Sequence, residues 1–393
     1  MVDILGINLS DLEKNELLAR LDFFLNDKEG HFLVTPNPEI ILQAGKDEEY
    51  FYILNSADVA IADGFGLVLA GILKGKKIPR ITGSDLTPLL ISLAEEKQIK
   101  TLIINWRDGL SKADDIKTVL SNRWPKLISK ILDVDKKDSL TEDENQEINS
   151  FEPKLVFVTL GAPVQEKLIW HELNRWPSVR LALAVGGSFD FLTNKIKRAP
   201  KIARRLGIEW LWRLIKQPKR FKRIWRATVV FSLKAFNNTI IQPFLYRKNV
   251  AAMLYKKTAD GIKILIVERQ DDHDHWQIPQ GGTDGQKLEI AGARELREEL
   301  GTDKFIVKKT FGNLHVYDFN KHEESKNKHT GYKGQKQGLL IAEFTGTDDD
   351  IKINYWDHAA WKWVDIDKFL ETVHPCRREG YQKFLTKFLE TVK

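Results

Sequence analysis

Residues His31–Glu39 read HFLVTPNPE, an apolar run that changes abruptly to polar residues. Four later runs have the same character, and stretches with a helical pattern separate them: Val59–Ala62, Thr101–Asn105, Leu155–Leu160 and Leu181–Val185. Alternation of short apolar strands with helices is typical of a parallel sheet that is covered on both faces. We therefore predict an α/β fold with a parallel sheet for the N-terminal part of the chain.

The segments that follow these runs are candidate binding sites, because ligands of parallel sheets bind beyond the carboxyl ends of the strands. They are Thr35–Glu39, Asp63–Gly66, Gly161–Glu166 and Gly186–Phe191. Their glycines would allow backbone N–H groups to approach a phosphate closely, and four are candidates: Gly64, Gly66, Gly186 and Gly187. Taken singly, a glycine after a strand more often marks a turn, and Asp63 also suits the N-cap of a helix.

The stretch Arg198–Phe236 is dense in arginine, lysine and tryptophan. Pro218 divides it into two predicted helices, because proline lacks the N–H group and clashes inside a helix. In the second helix the residues near one face are Phe221, Ile224, Trp225, Thr228, Val229 and Phe236, and the basic residues opposite are Lys219, Lys222, Arg223, Arg226 and Lys234. This pattern suits a membrane surface or another anionic partner, and it also fits a helix that packs on a core with its basic back in water.

Length and composition set further bounds. The chain has 393 residues and a net charge of +6, so we expect two domains and a local anionic partner. Its one cysteine, Cys376, excludes an intramolecular disulfide framework and favours the cytoplasm. The N-terminal residues lack the features of a secretory signal, and no apolar stretch is long enough to span a bilayer. We expect membrane contact to be peripheral.

Six motifs in the first 230 residues, taken in order, resemble the WecG/TagA/CpsF glycosyltransferases. They are TPNPE at Thr35, ADGFG at Ala62, RITGSDL at Arg80, LGAPVQE at Leu160, GGSFDF at Gly186 and RAP…GIEWLWRL at Arg198. The resemblance implies a Rossmann-like core over residues 1–197 and a basic helical appendage and linker over 198–245. It also implies inverting transfer of an N-acetylmannosamine-type sugar from a UDP-sugar to a polyprenyl-diphosphate-linked GlcNAc. That reaction belongs to cell-surface polysaccharide synthesis at the inner face of the cell membrane.

The same resemblance assigns roles to individual residues. Asp63 matches the general base that deprotonates the acceptor hydroxyl, with Thr35 and Asn37 beside it. Gln165 matches an amide that orients the substrate. The appendage arginines that it implies are Arg213, Arg220 and Arg223. Guanidinium groups bind diphosphate oxygens well and would neutralise their charge without a metal, so no cofactor is expected for the transferase. Alternatively, these arginines serve only to attract the protein to an anionic membrane.

One loop departs from the family pattern. Where relatives usually show Gly-Gly after the third strand, this chain has Asn105-Trp-Arg-Asp-Gly109. A charged stretch, Asp133–Asn149, follows later and is predicted to be a loop. In the family this neighbourhood helps to hold the nucleotide, so the identity of the sugar donor is open.

From residue 246 the pattern of elements changes, and Leu288–Leu300 predicts a helix. Within it, RELREELG at Arg294–Gly301 puts three glutamates on one helical face: Glu295, Glu298 and Glu299. Three crowded carboxylates favour a hard divalent cation, Mg²⁺ or Mn²⁺. The same letters also describe an ordinary charged helix face in water.

This stretch closely resembles the Nudix box and predicts an α+β Nudix hydrolase domain, an α/β/α sandwich, over residues 246–393. The residues that match the box are Gly281, Gly282, Arg294, Glu295, Glu298, Glu299 and Gly301. The resemblance implies hydrolysis of a nucleoside diphosphate derivative with Mg²⁺ or Mn²⁺ held by the three glutamates. Glu298 is our candidate for the base.

The box has three departures. The loop is one residue short when counted from Gly281, Gln286 stands at the first glutamate position, and Thr302 replaces the closing aliphatic residue. We expect altered loop geometry more than lost chemistry. The segments Trp276–Gly282 and Gly331–Gln337 resemble the branch that cleaves dinucleoside polyphosphates or RNA 5′ ends, and no other nucleic-acid binding is expected.

Two features receive no role at this stage. The run Asp271–His275, DDHDH, suggests a metal site, but we expect an exposed loop because neighbours in an extended chain point to opposite sides. Cys376 beside His374 lacks any other signature of a nucleophile.

Together the two motif sets predict a bifunctional enzyme, a glycosyltransferase joined to a Nudix hydrolase. In the alternative, only the Nudix domain is catalytic and the front half is a membrane or nucleotide-sugar binding module. The altered loop at 105–109 is the reason for keeping that alternative.

Overall fold

The computed structural model describes residues 1–200, 212, 221–319 and 331–392, apart from the side chain of Arg223. The chain forms two compact units, Met1–Thr239 and Ile240–Lys393. The division falls inside the segment 198–245 that the sequence predicts to be appendage and linker.

The described part of the N-terminal unit contains one parallel sheet between layers of helices. Its strands are β3 (His31–Val34), β4 (Val59–Ala60), β5 (Thr101–Trp106), β6 (Ser129–Val134), β7 (Leu155–Val158) and β8 (Leu181–Ala184), in the order β4-β3-β8-β7-β5-β6. The helices are α1 (Lys14–Asn26), α2 (Pro38–Ala44), α3 (Glu48–Ser56), α4 (Phe65–Leu73), α5 (Gly83–Glu96), α6 (Ala113–Arg123), α7 (Glu142–Phe151), α8 (Val164–Glu172) and α9 (Ser188–Leu192). A hairpin of β1 (Val2–Ile4) and β2 (Ile7–Leu9) precedes the sheet. The predicted parallel α/β fold is confirmed.

Both faces of this sheet are buried, as β3 illustrates. Phe32 and Val34 pack with α2, α3 and α8, whereas Leu33 between them packs with α1, α5 and α6 on the opposite face. Because successive side chains of a strand alternate between faces, a strand covered on both sides is apolar throughout. In the central strands polar side chains are therefore confined to the ends, whereas the edge strand β6 is only partly buried.

Two elements of this unit were not anticipated. Ser129–Val134 forms the edge strand β6, paired in parallel with β5; its polar first residues obscure the apolar pattern. The charged stretch expected to be a loop contains most of α7, so that expectation was wrong. A capping box starts this helix: Glu144 N–H donates to Thr141 Oγ1 over 3.3 Å, and Thr141 N–H donates to Glu144 Oε2 over 2.7 Å.

The described end of the basic stretch is helical and docks by a different face from the one predicted. It comprises α10 (Phe221–Trp225) and α11 (Phe231–Phe236), with π-helical segments at Arg226–Val230 and Asn237–Ile241. Phe231 is 1% exposed and packs against α2 and α4, whereas Trp225 and Phe236 of the predicted apolar face are 50% and 47% exposed. The i→i+5 spacing of a π-helical segment rotates the following residues relative to a regular α-helical pattern, which explains the difference.

The C-terminal unit contains a mixed sheet between two helical layers. Its strands are β9 (Tyr246–Thr258), β10 (Gly261–Arg269), β11 (Trp276–Gln277), β12 (Gln280–Gly282), β13 (Phe305–Asp318), β14 (Gly334–Phe344) and β15 (His358–Asp365), and its helices are α12 (Leu288–Leu300), α13 (Phe369–Thr372) and α14 (Arg378–Val392). Strands β9 and β14 pair in parallel at the centre. Leu296 and Leu300 of α12 pack on one face, and Phe384 and Phe388 of α14 pack on the other. The predicted α/β/α sandwich is confirmed.

In the parts of the chain that the structure describes, no helix combines the length and the apolar character that crossing a bilayer requires.

We predict that Phe231→Ala releases α11 from the N-terminal unit. Loss of a buried phenylalanine costs about 3 kcal/mol or more, which raises the undocked population at least about 100-fold. Hydrogen–deuterium exchange of peptides covering residues 221–239 measures this release. Phe236→Ala on the same helix is the matched control, and equal exchange in both variants would contradict the docking through Phe231.

Candidate functional sites

A cleft of about 580 Å³ lies at the carboxyl ends of the parallel strands. The predicted residues of the transferase site that line it are Thr35, Asn37, Asp63 and Gln165. The loops after β3, β7 and β8 contribute to its walls, as the topology requires. Sequence-predicted positions from three separate parts of the chain are thus brought to one place.

Asp63 is half-buried in this cleft, and the fold fixes its position from two sides. Its backbone N–H donates to Pro36 O over 2.8 Å, and its Oδ2 accepts the Gly83 N–H over 3.3 Å. Nearby, the Thr35 hydroxyl donates to Ala184 O over 3.2 Å. Asn37 caps α2, because its Oδ1 accepts the N–H groups of Glu39 and Ile40 at 2.9 and 3.0 Å.

Gln165 holds two loops of the cleft together. Its Oε1 accepts the N–H groups of Gly161 and Gly186 over 3.1 and 2.9 Å, and its Nε2 donates to Glu166 Oε1 over 2.8 Å. The side chain is 2% exposed, so these bonds are shielded from water. The observed contacts give Gln165 a positioning role in addition to the substrate contact that the resemblance implies.

The glycines expected to approach a phosphate have other tasks in this structure. The Gly186 N–H is already donated to Gln165, so the expectation was wrong for that group. A Cβ on Gly66 would lie 2.9 Å from Pro38 Cγ, and one on Gly64, where φ is +143°, would lie 3.1 Å from Pro38 Cδ. These two glycines allow α4 to start close beside the first turn of α2.

Two residues that line the cleft, Trp106 and Lys136, received no role from the sequence. They lie where this chain departs from the family pattern. Lys136 Nζ lies 5.1 Å from the centre of the Trp106 ring, and both residues face the cleft. Asn105 is buried and also borders the cleft, and its Nδ2 donates to Asp133 Oδ1 over 2.7 Å. The unusual Asn-Trp-Arg-Asp-Gly loop was the available signal for Trp106. Lys136 could not be placed because β6 had not been recognised.

The predicted arginines cannot be compared with the cleft. Arg213 and Arg220 lie outside the described residues, as does the side chain of Arg223.

A second site lies along α12 of the C-terminal unit, where Arg294 contacts two of the predicted glutamates. Its guanidinium lies 2.7 Å from Glu295 Oε1 and 2.6 Å from Glu298 Oε2. Its Nη2 also donates to Gly282 O over 2.7 Å, and its Nε donates to Gln286 Oε1 over 3.3 Å. An amide oxygen at position 286 therefore accepts from this arginine, although the box usually has a carboxylate there.

The third glutamate has different partners. Glu299 Oε2 lies 2.9 Å from His358 Nε2, and Glu299 Oε1 accepts the Gln280 N–H over 3.3 Å. Burial raises the pKa of the Glu299 carboxyl, although His358 and the Gln280 N–H favour its ionised form. Glu298 is the most accessible of the three, with 43% of its side chain exposed.

Gly281 and Gly301 satisfy steric requirements of the box. A Cβ on Gly281 would lie 1.9 Å from Glu295 Oε2, so the close approach of that carboxylate needs glycine. Gly301 ends α12 with φ of +62°, a left-handed conformation that glycine adopts without strain.

The donor set of α12 fits a hard divalent cation. Glu295 and Glu299 are 5% and 7% exposed, and two buried carboxylates with oxygen ligands suit Mg²⁺ or Mn²⁺. The three glutamates do not form a group whose ligand atoms all lie within 4.8 Å of one another. Among the described residues, such groups occur elsewhere. Arg294 forms ion pairs with Glu295 and Glu298, and His358 forms a hydrogen bond with Glu299, so cation binding would replace part of these contacts.

The cleft beyond the parallel strands and the carboxylate helix with its glycine loop define an enzyme with two separate sites. The chain belongs to the WecG/TagA/CpsF glycosyl transferase family, whose model matches residues 2–243, and it carries a NUDIX domain over residues 245–385. Both sequence resemblances are confirmed. The chain is thus an enzyme with a glycosyltransferase domain and a Nudix hydrolase domain, and Nudix hydrolases generally use a divalent metal.

Individual relatives match each half. The N-terminal half is 34% identical over 208 residues to the N-acetylglucosaminyldiphosphoundecaprenol N-acetyl-beta-D-mannosaminyltransferase of Bacillus subtilis, covering 51% of this chain and 77% of that protein. The C-terminal half is 36% identical over 152 residues to the RNA pyrophosphohydrolase of Wolbachia pipientis, covering 38% of this chain and 92% of that protein. A solved C. elegans Ap4A hydrolase covers 37% of this chain and 98% of its own, with 21% identity and a TM-score of 0.29.

Glu166 is a buried carboxyl behind the transferase cleft, and it makes stability depend on pH. Burial raises its pKa to about 7 from 4.5. Between these pH values the unfolded chain releases the proton while the folded chain keeps it, so the free energy of unfolding falls as pH rises. Above pH 7 the Glu166 carboxyl is ionised in both the folded and the unfolded chain, and its contribution to the free energy of unfolding is lost completely.

We predict that Glu166→Gln removes this pH dependence and keeps an acceptor oxygen for Gln165. Between pH 4.5 and 7 its stability should rise relative to wild type by about 3 kcal/mol. Urea denaturation of the full chain across this range measures the difference. Glu96→Gln, on the exposed part of α5, is the control. Parallel curves for wild type and Glu166→Gln would show that the carboxyl titrates normally.

Proposed function

We propose that the N-terminal unit transfers an N-acetylmannosamine-type sugar from a UDP-sugar to a polyprenyl-diphosphate-linked GlcNAc, as part of cell-surface polysaccharide synthesis. The observation that supports this most directly is the cleft at the strand ends, where Asp63 lies with Thr35 and Asn37. The names of the matched relatives supply the sugar and the acceptor. No cofactor is proposed for this reaction.

In the proposed reaction the acceptor hydroxyl attacks the anomeric carbon of the donor from the face opposite UDP. Asp63 takes the hydroxyl proton as the new carbon–oxygen bond forms. The bond between the anomeric carbon and the phosphate oxygen breaks, and UDP leaves with the electron pair. The Gly83 N–H holds the carboxylate in place for this task.

We assign the nucleotide contacts to the cleft wall that departs from the family pattern. Trp106 offers an aromatic face for a base, and Lys136 beside it offers a cation for the diphosphate. Lys197 also lines the cleft and adds positive charge. The arginines Arg213, Arg220 and Arg223 remain candidates for the lipid diphosphate or the leaving UDP.

We further propose peripheral binding to the inner face of the cell membrane, where a lipid-linked acceptor resides. On α4, Leu69, Ile72 and Leu73 are 46%, 61% and 46% exposed. The docked appendage exposes Trp225 and Leu233 together with basic side chains such as Lys234. Exposed apolar residues beside lysines and arginines suit the surface of an anionic bilayer.

We predict that Asp63→Asn lowers turnover about 10²- to 10⁴-fold and leaves UDP binding intact, because only the proton transfer is lost. Lys136→Ala should instead weaken UDP binding roughly 10- to 100-fold, as expected for a charge-assisted contact. Lys130→Ala, at the other end of β6, is the matched control. The assay presents the lipid acceptor in anionic vesicles with several UDP-sugars, and calorimetry measures UDP binding. Binding of UDP without transfer of any sugar would favour the non-catalytic module.

For the C-terminal unit we propose metal-dependent hydrolysis of a nucleoside diphosphate derivative, with a dinucleoside polyphosphate or an RNA 5′ end as the substrate class. A cluster of amide side chains surrounds Gln280, whose N–H contacts Glu299. Gln337 Nε2 donates to Gln280 Oε1 over 2.8 Å and to Asn249 Oδ1 over 3.2 Å. The match to an RNA pyrophosphohydrolase supports the same class.

The carboxylates of α12 would hold the divalent cation, which neutralises phosphate charge and makes water more acidic. Glu298, the accessible member, is proposed to take the proton from water as its oxygen bonds to phosphorus. The bridging P–O bond breaks, and the leaving phosphate keeps the electron pair. Arg294 holds Glu298 at 2.6 Å and orients it before substrate binds.

We predict that Glu298→Gln lowers hydrolysis about 10²- to 10⁴-fold in the presence of Mg²⁺ or Mn²⁺. Gly281→Ala should lose activity as well, because its Cβ displaces Glu295. Gly312→Ala is the matched control, since a Cβ there meets only Leu288 Cδ1 at 3.7 Å. Release of pyrophosphate or phosphate from RNA 5′ triphosphate, and of mononucleotides from dinucleoside tetraphosphate, is measured on the full chain. Equal release by wild type and Glu298→Gln would refute the role of this glutamate.

A further inference from the structure

Three potential metal ligands meet in the C-terminal unit, away from the α12 glutamates in sequence. The ligand atoms of His275, His374 and Cys376 all lie within 4.8 Å of one another. The sequence predicted an exposed loop around His275 and no role for Cys376. The first expectation is confirmed for residues 271–274, which are exposed and lie outside helices and strands. It was wrong for His275, which is 0% exposed and whose ring stacks on His374 at 4.1 Å between centroids.

Backbone contacts bring these residues together. The His374 N–H donates to Trp276 O over 2.9 Å, which fixes the segment before α14 beside the start of β11. Pro375 stands between His374 and Cys376 and begins a 3₁₀ turn, Pro375–Arg377. Proline restricts this turn, so His374 and Cys376 are held in a constrained His-Pro-Cys arrangement.

The hydrogen bonds of the cluster also match a metal site. His275 Nδ1 lies 2.8 Å from Asp272 Oδ2, so Nε2 is the nitrogen that we assign to the metal. A carboxylate on the second nitrogen of a ligating histidine fixes its tautomer and raises its basicity. His374 Nδ1 lies 2.7 Å from Cys376 Sγ, so the imidazole nitrogen and the thiol form a hydrogen bond. A metal would take the place of the proton in that hydrogen bond.

We propose that His275, His374 and Cys376 form a binding site for a zinc-class ion, distinct in chemistry from the Mg²⁺ or Mn²⁺ site on α12. Two imidazoles and one thiolate are borderline-soft ligands that favour Zn²⁺ over hard cations. Bond lengths of about 2.1 and 2.3 Å place tetrahedral ligands about 3.4 to 3.6 Å apart. On binding, the 2.7 Å gap between His374 Nδ1 and Cys376 Sγ would therefore widen, and the His374 ring would turn out of its stack on His275. Binding releases the thiol proton, and water completes the coordination. His374 and Cys376 are half-buried, so an ion can enter.

The ion would link the loop before β11 to the segment before α14. Strand β11 leads directly into the Gln280–Gly282 strand of the Nudix loop, so the link would stabilise the approach to that loop. This role is structural and does not depend on the proposed reactions.

The test is a titration of the metal-free full chain with Co²⁺ in the presence of excess Mg²⁺. One equivalent should produce thiolate-to-cobalt absorption, and Zn²⁺ should displace it and slow the alkylation of the thiol. Cys376 is the chain's one cysteine, so the absorption has a single source. Cys376→Ser should abolish it, with circular dichroism confirming that the variant is folded.

Three further variants sharpen the result. Asp272→Asn should weaken Co²⁺ binding about 10- to 100-fold, whereas Asp271→Asn on the same loop should not. Glu298→Gln should leave the absorption unchanged, which separates this site from the α12 carboxylates. Absence of thiolate-to-cobalt absorption in the wild type, or equal alkylation of Cys376 with and without Zn²⁺, would overturn the proposal.

Discussion

The parallel sheet of the N-terminal unit is apolar on both faces, and this constraint determines where its chemistry can occur. Phe32, Leu33 and Val34 bury opposite faces of a single strand, which leaves no face for a polar side chain. Polar groups therefore gather beyond the strand ends, where α2, α5 and α8 begin. Gln165 then fixes two of the loops there through Gly161 and Gly186, so the wall of the cleft is set before any ligand arrives.

The second site meets a different constraint, the repulsion among carboxylates on one helix. Arg294 contacts Glu295 and Glu298, and His358 contacts Glu299, so each negative charge has a positive or hydrogen-bonding partner. The same contacts fix the positions of the three glutamate side chains, although the carboxylates do not meet at one point. A divalent cation bound to these glutamates would have to compete with an arginine and a histidine for the carboxylate oxygens. Gly281 is as important as the charges, because no other residue leaves room for Glu295.

Much of the fold and many site positions followed from the sequence because the relevant patterns are local. Apolar runs ending in polar residues located Thr35 and Asp63 at the sheet edge, and helical spacing located the glutamates of α12. The failures involve information that is not local. His275 reads as part of a charged loop, yet packing against His374 buries it completely. The docking face of α11 was missed because π-helical turns change the periodicity. Lys136 depends on β6, whose polar first residues conceal a strand.

The topology of the C-terminal sheet has a consequence for the chain as it leaves the ribosome. Tyr246 of β9 pairs with Gly334 of β14, and the parallel ladder continues from there to Tyr255 and Glu343. The apolar residues Val250–Leu254 of the central strand therefore lack this neighbour until most of the unit has been synthesised. During that interval one edge of β9 offers unpaired backbone groups to other nascent chains. Slower translation of this region, or a chaperone that covers the strand, would protect the nascent chain from aggregation.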